Sequence, residues 1–202
     1  DKITEICEVT RDDLQQNNYS WDPNVYIVDE DMEKLMVSSG CEWKKLGDVC
    51  EINYGDRITK KKEHNPNGIY SVYGGGNCSD CFRVNRYNRE GETCKISRFA
   101  ASHHNCVLLL RDRYFLNDSG LTLNCNTQNL NHKYMSYYMY YSLNNNQTLF
   151  KSLYRGADQQ NLDITQFKNL DIPIPPQETQ TKVVQTLDDL ANLRQNYMDI
   201  RD

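Results

Sequence analysis

No stretch of the 202 residues comes near the roughly eighteen consecutive apolar residues of a membrane-spanning helix, and the first residues lack the basic, apolar pattern of a secretory leader. Neither membrane contact nor secretion is indicated, so a cytoplasmic protein is expected. The sequence also lacks the signatures of catalysis. Gly74-Gly75-Gly76 is not followed by the lysine and hydroxyl residue that a phosphate-cradling P-loop needs, and it is no GxGxxG dinucleotide fingerprint. A spaced Ser, His and Asp set, a DPPY-type methyltransferase loop and a paired-carboxylate nuclease motif are all missing. The expectation is a protein that is not an enzyme and needs no cofactor. Disulfide staples are not required either. Cys7, Cys41, Cys50, Cys78, Cys81, Cys94, Cys106 and Cys125 are spread thinly through a chain long enough to bury one sizeable core, and they read as reduced thiols.

A net positive charge is absent too, the formal total being −5, but the charge is divided unevenly. Residues 1–42 carry 3 basic and 11 acidic side chains, residues 43–113 carry 13 and 8, and residues 114–202 carry 7 and 9. A polyanion would be drawn to the middle section and repelled by the first, which is also placed to fold back on a basic face. Both sections are equally readable as ordinary solvated surface. Asp1 in place of an initiator methionine is what a fragment or a processed product would show.

Residues 1–42 have weak periodicity, with a short strand expected at Val25–Val28 and a short helix at Asp31–Val37. They read as an acidic extension, or as the tail of a preceding domain. The texture changes at Trp43, where an amphipathic turn runs into an alternating strand over Val49–Tyr54. Lys60, Lys61, Lys62 and His64 follow on a surface loop. Ile69–Tyr73 is of β type and ends in the glycine turn. Residues 85–92 are expected to form the turn of a hairpin whose second strand is Thr93–Phe99, with Arg83, Arg86, Arg89 and Arg98 supplying guanidinium groups able to bridge phosphates or read a guanine edge. Further strands are expected at Val107–Leu110 and Tyr114–Cys125, the latter interrupted at Asn117–Gly120. Asn131–Leu143 is a helix whose Tyr134, Met135, Tyr137, Tyr138, Met139 and Tyr141 form a core-facing stripe rather than a base-stacking platform. Cys78 and Cys81 have the spacing of half a zinc site, with His103 and Cys106 as partners, against buried free thiols as the alternative.

The stretch from Leu153 to Leu190 closes the pattern. Gly156–Asn161 is a polar loop, Ile164–Leu170 about two helical turns, and Leu170–Ile172 a short extended piece. Pro173, Pro175 and Pro176 forbid helix and fix the backbone direction. From Gln177 an amphipathic helix departs, with Val183, Leu187, Leu190 and Tyr197 along one stripe.

The succession WKKLGDVCEINYG, YSVYGGGN, YNREGETCKISR, NHKYMSYYMYY and LYRGADQQNLDITQFKNLDIPIPPQETQTKVVQTLDDL resembles a target recognition domain of the DNA-specificity (S) subunit of type I restriction–modification systems, over Trp43 to about Leu193. The resemblance implies an α+β fold, a single domain over residues 43–176 with a twisted, mostly antiparallel sheet and flanking helices, then a spacer or dimerisation helix over 177–202. It implies non-catalytic, sequence-specific binding of double-stranded DNA. The residues expected at the DNA are Lys60, Lys61, Lys62, His64, Tyr73, Asn77, Arg83, Arg86, Arg98, Tyr154, Arg155, Gln159 and Gln160, with lysines on phosphates and Arg or Gln side chains on base edges. The helix stripe would pair with a second copy or with another recognition domain, and a methyltransferase (modification) subunit or a fused enzyme domain would be the further partner. A bacterial host, or a large DNA virus, suits the composition. The alternative is a protein-interaction or assembly domain on the same fold, with DNA binding lost or masked by the acidic first segment.

Overall fold

The computed structural model describes residues 40–75, 82–100, 106–156 and 159–201. The strand expected at Val25–Val28, the helix at Asp31–Val37, Asn77, Cys78, Cys81, His103 and the side chain of Tyr197 lie outside what is described. In chain order, β1 (Glu42–Lys45) leads into the single turn α1 (Leu46–Val49) and β2 (Cys50–Tyr54), followed by α2 (Lys60–Glu63), β3 (Tyr70–Tyr73) and β4 (Arg83–Val84). Next come β5 (Thr93–Ser97), β6 (Phe99–Ala100), β7 (Val107–Leu110), β8 (Phe115–Leu116) and β9 (Gly120–Cys125). Two helices, α3 (His132–Asn145) and α4 (Gln147–Leu153), precede β10 (Tyr154–Arg155) and β11 (Gln160–Leu162). Then α5 (Ile164–Lys168), β12 (Asp171–Ile174) and the long α6 (Gln177–Arg201) complete the order.

Among the described residues the strands form four small sheets rather than one, and of the named strands only β3 and β8 run parallel. The main sheet has the antiparallel order β2-β9-β5-β7, and α3 lies across it. All five residues of β5 are buried, which is why this strand sits inside the sheet. Its Cys94 and Ile96 face the main core, joined there by Leu121 and Leu123 of β9 and by Tyr134, Met135, Met139 and Leu143 of α3. Each fully buried side chain of this size contributes about 1.5–3 kcal/mol. Lys95 is fully buried as well, with Nζ donating to Ser97 Oγ at 2.8 Å, and burial pushes its ammonium down to about 8.

The tyrosine and methionine stripe of α3 behaves as the spacing predicts at Tyr134, Met135, Tyr137 and Met139, all buried, whereas Tyr141 is exposed. Asn131 starts the helix by accepting hydrogen bonds from the amides of Lys133 and Tyr134. Asp163 does the same for α5 through Thr165 and Gln166.

Three local expectations are corrected. The segment before Leu46 is a strand, not a turn. β1 pairs antiparallel with β12, Trp43 opposite Pro173 and Lys45 opposite Asp171, a partner that local periodicity cannot reveal. Pro173 is tolerated because, among the described residues, β12 has this one neighbour and so an open edge. Second, residues 85–92 do not join a hairpin: β4 pairs with β3, while β5 pairs with β7 and β9. β5 uses both of its hydrogen-bonding edges, one for β7 and the other for β9, which leaves no edge for β4. Third, Lys60–Glu63 is a helical turn rather than open loop, with the amides of Lys62 and Glu63 donating to the Thr59 carbonyl.

Candidate nucleic-acid interface

α2 sits on a small core of its own. Ile58, just before the helical turn, is buried with Val72, Val84 and Phe115, so the chain is anchored while Lys60, Lys61 and Lys62 point outward and are exposed. After the turn the chain is bound to β4. The Asn65 amide donates to the Arg83 carbonyl at 2.9 Å, and the Arg83 amide donates to His64 Nδ1 at 3.3 Å. The Arg83 guanidinium donates to the Ile69 carbonyl, and Arg86 meets Glu63 at 2.6 Å while covering the Phe115 ring. Gly68 makes this approach feasible, since a Cβ there would stand 2.7 Å from the Val84 nitrogen. Lys60, Lys61, Lys62, His64, Arg83 and Arg86 are thus brought onto one exposed face, and Arg57, also exposed, stands just before them in the chain. Glu63 is the acid bridged to Arg86 there. An exposed ion pair of this kind contributes about 0–1 kcal/mol, so Arg86 can release Glu63 at small cost.

β3 leads from this face to the glycine turn. Ser71 lies opposite Arg83, and Gly75, just past the end of the strand, donates its amide to Ser119 Oγ at 2.8 Å. Beside Ser119 the chain of β5 and β6 carries Arg98, whose amide donates to the Ser119 carbonyl. β6 pairs with β11, placing Gln160 opposite Ala100, and β11 pairs with β10. Arg155, Gln159 and Gln160 are exposed on this β10–β11 hairpin. Arg155 is ion-paired with Asp163 at 2.8 Å. Gly156 closes the hairpin at φ +129°, with a hypothetical Cβ 2.2 Å from the Gln159 carbonyl oxygen. Gly156→Ala is expected to destabilise the chain by about 1–3 kcal/mol, measured by chemical denaturation.

Several expected contacts sit elsewhere. Tyr154 is buried, its hydroxyl donating to the Ser97 carbonyl at 2.6 Å and its ring against Phe150, so it cannot face DNA. The apolar Leu153 before it and the pairing of β10 with β11 draw this tyrosine into the core. Tyr73 packs edge-on against Tyr114, half-buried. Arg98 is held between the Tyr54 and Phe99 rings and donates to the Asp118 carbonyl, so its guanidinium is largely committed. Arg89 is a clamp rather than a phosphate contact: it donates to Thr122 Oγ1, to the carbonyls of Asn88, Asn53 and Tyr54, and to Asn53 Oδ1. Cys106 is buried, and among the described residues no group of three His, Cys, Asp or Glu side chains is arranged to hold a metal ion.

α6 is fixed to α3 at two levels. Gln180 is fully buried; it donates to the carbonyls of Asn129 and Pro175 and accepts from the Asn131 amide, each at 2.8 Å. About two turns further on, Asp188 meets Lys133 at 2.7 Å and the Tyr137 hydroxyl at 2.6 Å. Glu92 joins the same network, bridged by Lys133 and Arg111. The outward side of the helix keeps Val183, Leu190 and Leu193 exposed, Leu187 being half-buried. Leu193 belongs with the stripe and was legible from its spacing of three after Leu190.

Burial works against the Asp188 carboxylate, but the Lys133 and Tyr137 hydrogen bonds and the Lys133 charge outweigh it and hold the group below its usual range. Its contribution to stability is therefore complete above the unfolded value of about 4 and is lost as pH falls through the lower folded value. Asp188→Asn is expected to flatten this part of the acid limb in a plot of stability against pH between about 5 and 2.

Comparison with known proteins agrees with this architecture. The family model described as the type I restriction modification DNA specificity domain matches residues 38–197. A Haemophilus influenzae protein named as a type I restriction enzyme specificity subunit is 28% identical over 164 residues, which is 80% of this chain and 40% of that one. Among solved structures, the S subunit of a type I restriction–modification system from M. genitalium superposes with a TM-score of 0.64 at 22% identity, covering 79% of this chain and 41% of that one. The HsdS subunit from Thermoanaerobacter tengcongensis gives 0.51 at 17% identity, over 81% of this chain and 44% of that one. The chain spans about two fifths of the length of these relatives, and the likeness to the solved structures establishes the α+β fold. With the family model covering most of its length, the chain belongs to the type I restriction modification DNA specificity domain family.

Proposed function

We propose that this chain is a non-catalytic module that binds double-stranded DNA sequence-specifically. The observation that carries the reading is the exposed basic face formed where α2 is bound to β4, in a chain of a DNA specificity family. Lys60, Lys61 and Lys62 hold phosphates, because compact ammonium groups on a short helical turn bind as point charges without base preference. Arg83 and Arg86, exposed near His64, are the side chains that would read base edges in the major groove. Arg155, Gln159 and Gln160 on the β10–β11 hairpin form the second contact, glutamine having the donor and acceptor pair that matches adenine. Arg98 and Tyr73 position this hairpin and the glycine turn, and Asn77 is a further candidate contact close by in the sequence.

The exposed stripe of α6 pairs with a counterpart helix, in a homodimer or from another recognition domain, and so sets the distance between two DNA-binding faces. Gln177–Arg201 would span about 37 Å as straight helix. A methyltransferase subunit is the further partner, in the bacterial cytoplasm. Selection of bound duplexes from a random pool tests the reading: a recurring sequence is expected, and recovery of an unenriched pool would leave only non-specific attraction.

A further inference from the structure

We propose that Cys50 and Cys125 form a redox-active dithiol that peroxide closes to a reversible disulfide across β2 and β9. The two residues are directly opposite in the antiparallel register, with sulfurs 3.8 Å apart. The Asn126 amide donates to the Val49 carbonyl, so the neighbouring pair carries the ladder bond and Cys50 with Cys125 occupies a non-hydrogen-bonded site. Cα atoms at such a site are about 4.5 Å apart, inside the roughly 4.4–6.8 Å that disulfides span, so closure needs side-chain rotation and no strand separation.

The two thiols differ in environment. Cys50 is buried, stays protonated and donates its hydrogen toward Cys125. Cys125 lies at the half-exposed end of β9; the Cys50 hydrogen bond, and then the His132 side chain beside it, favour its thiolate against the effect of burial. This is the arrangement of an attacking sulfur with a resolving partner. Cys94, by contrast, is fully buried in the core, and burial pushes its thiol up and makes it inert.

The chemistry balances with hydrogen peroxide as the oxidant. The Cys125 thiolate attacks one peroxide oxygen, the O–O bond breaks, and the released hydroxide takes a proton to leave as water, giving a sulfenic acid. Cys50 sulfur then attacks Cys125 sulfur; the S–O bond breaks, and the hydroxyl departs with the Cys50 proton as a second water. Two electrons pass from the thiol pair to the peroxide. The bond would staple β2 to the strand that leads into residues 126–131, the segment that holds Gln180 and hence the root of α6.

The test treats the full chain with hydrogen peroxide and reads a non-reducing tryptic digest by mass spectrometry. Trypsin separates the two cysteines into the peptides 46–57 and 114–133, each with a single thiol. The expected product is these peptides joined with loss of two hydrogens, separated again by dithiothreitol. Cys50→Ser should leave Cys125 as a sulfenic acid that dimedone traps, and Cys125→Ser should leave Cys50 unmodified. The proposal is overturned if the wild-type chain shows Cys125 sulfinic acid without the link, links only among other cysteines, or no reaction at Cys125 while other thiols oxidise. Because the wild-type digest alone decides this, a variant that fails to fold does not rescue the idea.

Discussion

Replacing Lys60, Lys61 and Lys62 together with alanine is expected to weaken duplex binding on the order of a hundredfold at about 0.1 M salt, and to lower the slope of log K against log salt by about 3. Each lysine that neutralises a phosphate releases about one counterion, so three exposed ammonium groups acting this way remove about three from the count. The loss should be uniform across target sequences, since ammonium groups on phosphates carry no base information. Stability should hardly change. α2 is held by the buried Ile58 and by the Thr59 and Lys60 carbonyls, none of which the substitutions touch. Titration of a labelled duplex with both proteins at several salt concentrations, alongside thermal denaturation, separates the two effects. The same titration with Arg83→Ala or Arg86→Ala should instead change preference among sequences.

Gln180→Leu is expected to cost about 3 kcal/mol, or a drop in Tm on the order of 10 °C. The side chain is fully buried and satisfies three backbone groups at once, the carbonyls of Asn129 and Pro175 and the amide of Asn131. Leucine fills similar volume but leaves those groups unpaired, the Pro175 carbonyl in a buried setting and the other two in part-buried ones, and an unpaired buried group costs about 1–3 kcal/mol before relaxation. The second consequence concerns direction. With Gln180 gone, α6 is tied to α3 mainly through Asp188 and its partners Lys133 and Tyr137, so the helix is expected to pivot about that network. A distance distribution between spin labels on α3 and on the exposed side of α6 should broaden in the variant. An unchanged Tm together with an unchanged distribution would show that Gln180 does not hold the helix.

These two expectations separate what was legible in the sequence from what was not. The proline corner at Pro173–Pro176, the helix leaving it from Gln177 and the tyrosine helix were readable because each is written locally, in fixed φ angles and a 3.6-residue period. The family order of segments was readable for the same reason. Gln180 was not singled out, because a glutamine in the first turn of an exposed helix has no local mark of burial; its role depends on the Asn129–Asn131 backbone arriving from a distant part of the chain.

Pairing was the other blind spot. Arg83, Thr93 and the turn between them look like a hairpin in sequence, yet both edges of β5 are taken by β7 and β9, partners further along the chain that local pattern does not reveal. β1 escaped for a similar reason, its partner lying near the other end of the domain. At the candidate interface, the lysines were legible as exposed charge, whereas the fates of the arginines were not. Arg89, Arg98, Arg83 and Arg86 are equivalent in composition and spacing, but the first is consumed as an internal clamp and the second is held between rings. Tyr154 illustrates the same limit, a residue beside an exposed loop whose side chain turns inward to Ser97.

The central claim, that the face built by α2 and β4 together with the β10–β11 hairpin binds duplex DNA, is tested most directly by equilibrium binding of the full chain to a random-sequence duplex at about 50 and 200 mM salt. The three lysines on phosphates alone predict binding at the lower salt that weakens by about fortyfold or more at the higher. Absence of binding at the lower salt, where phosphate contacts are strongest, would contradict the account.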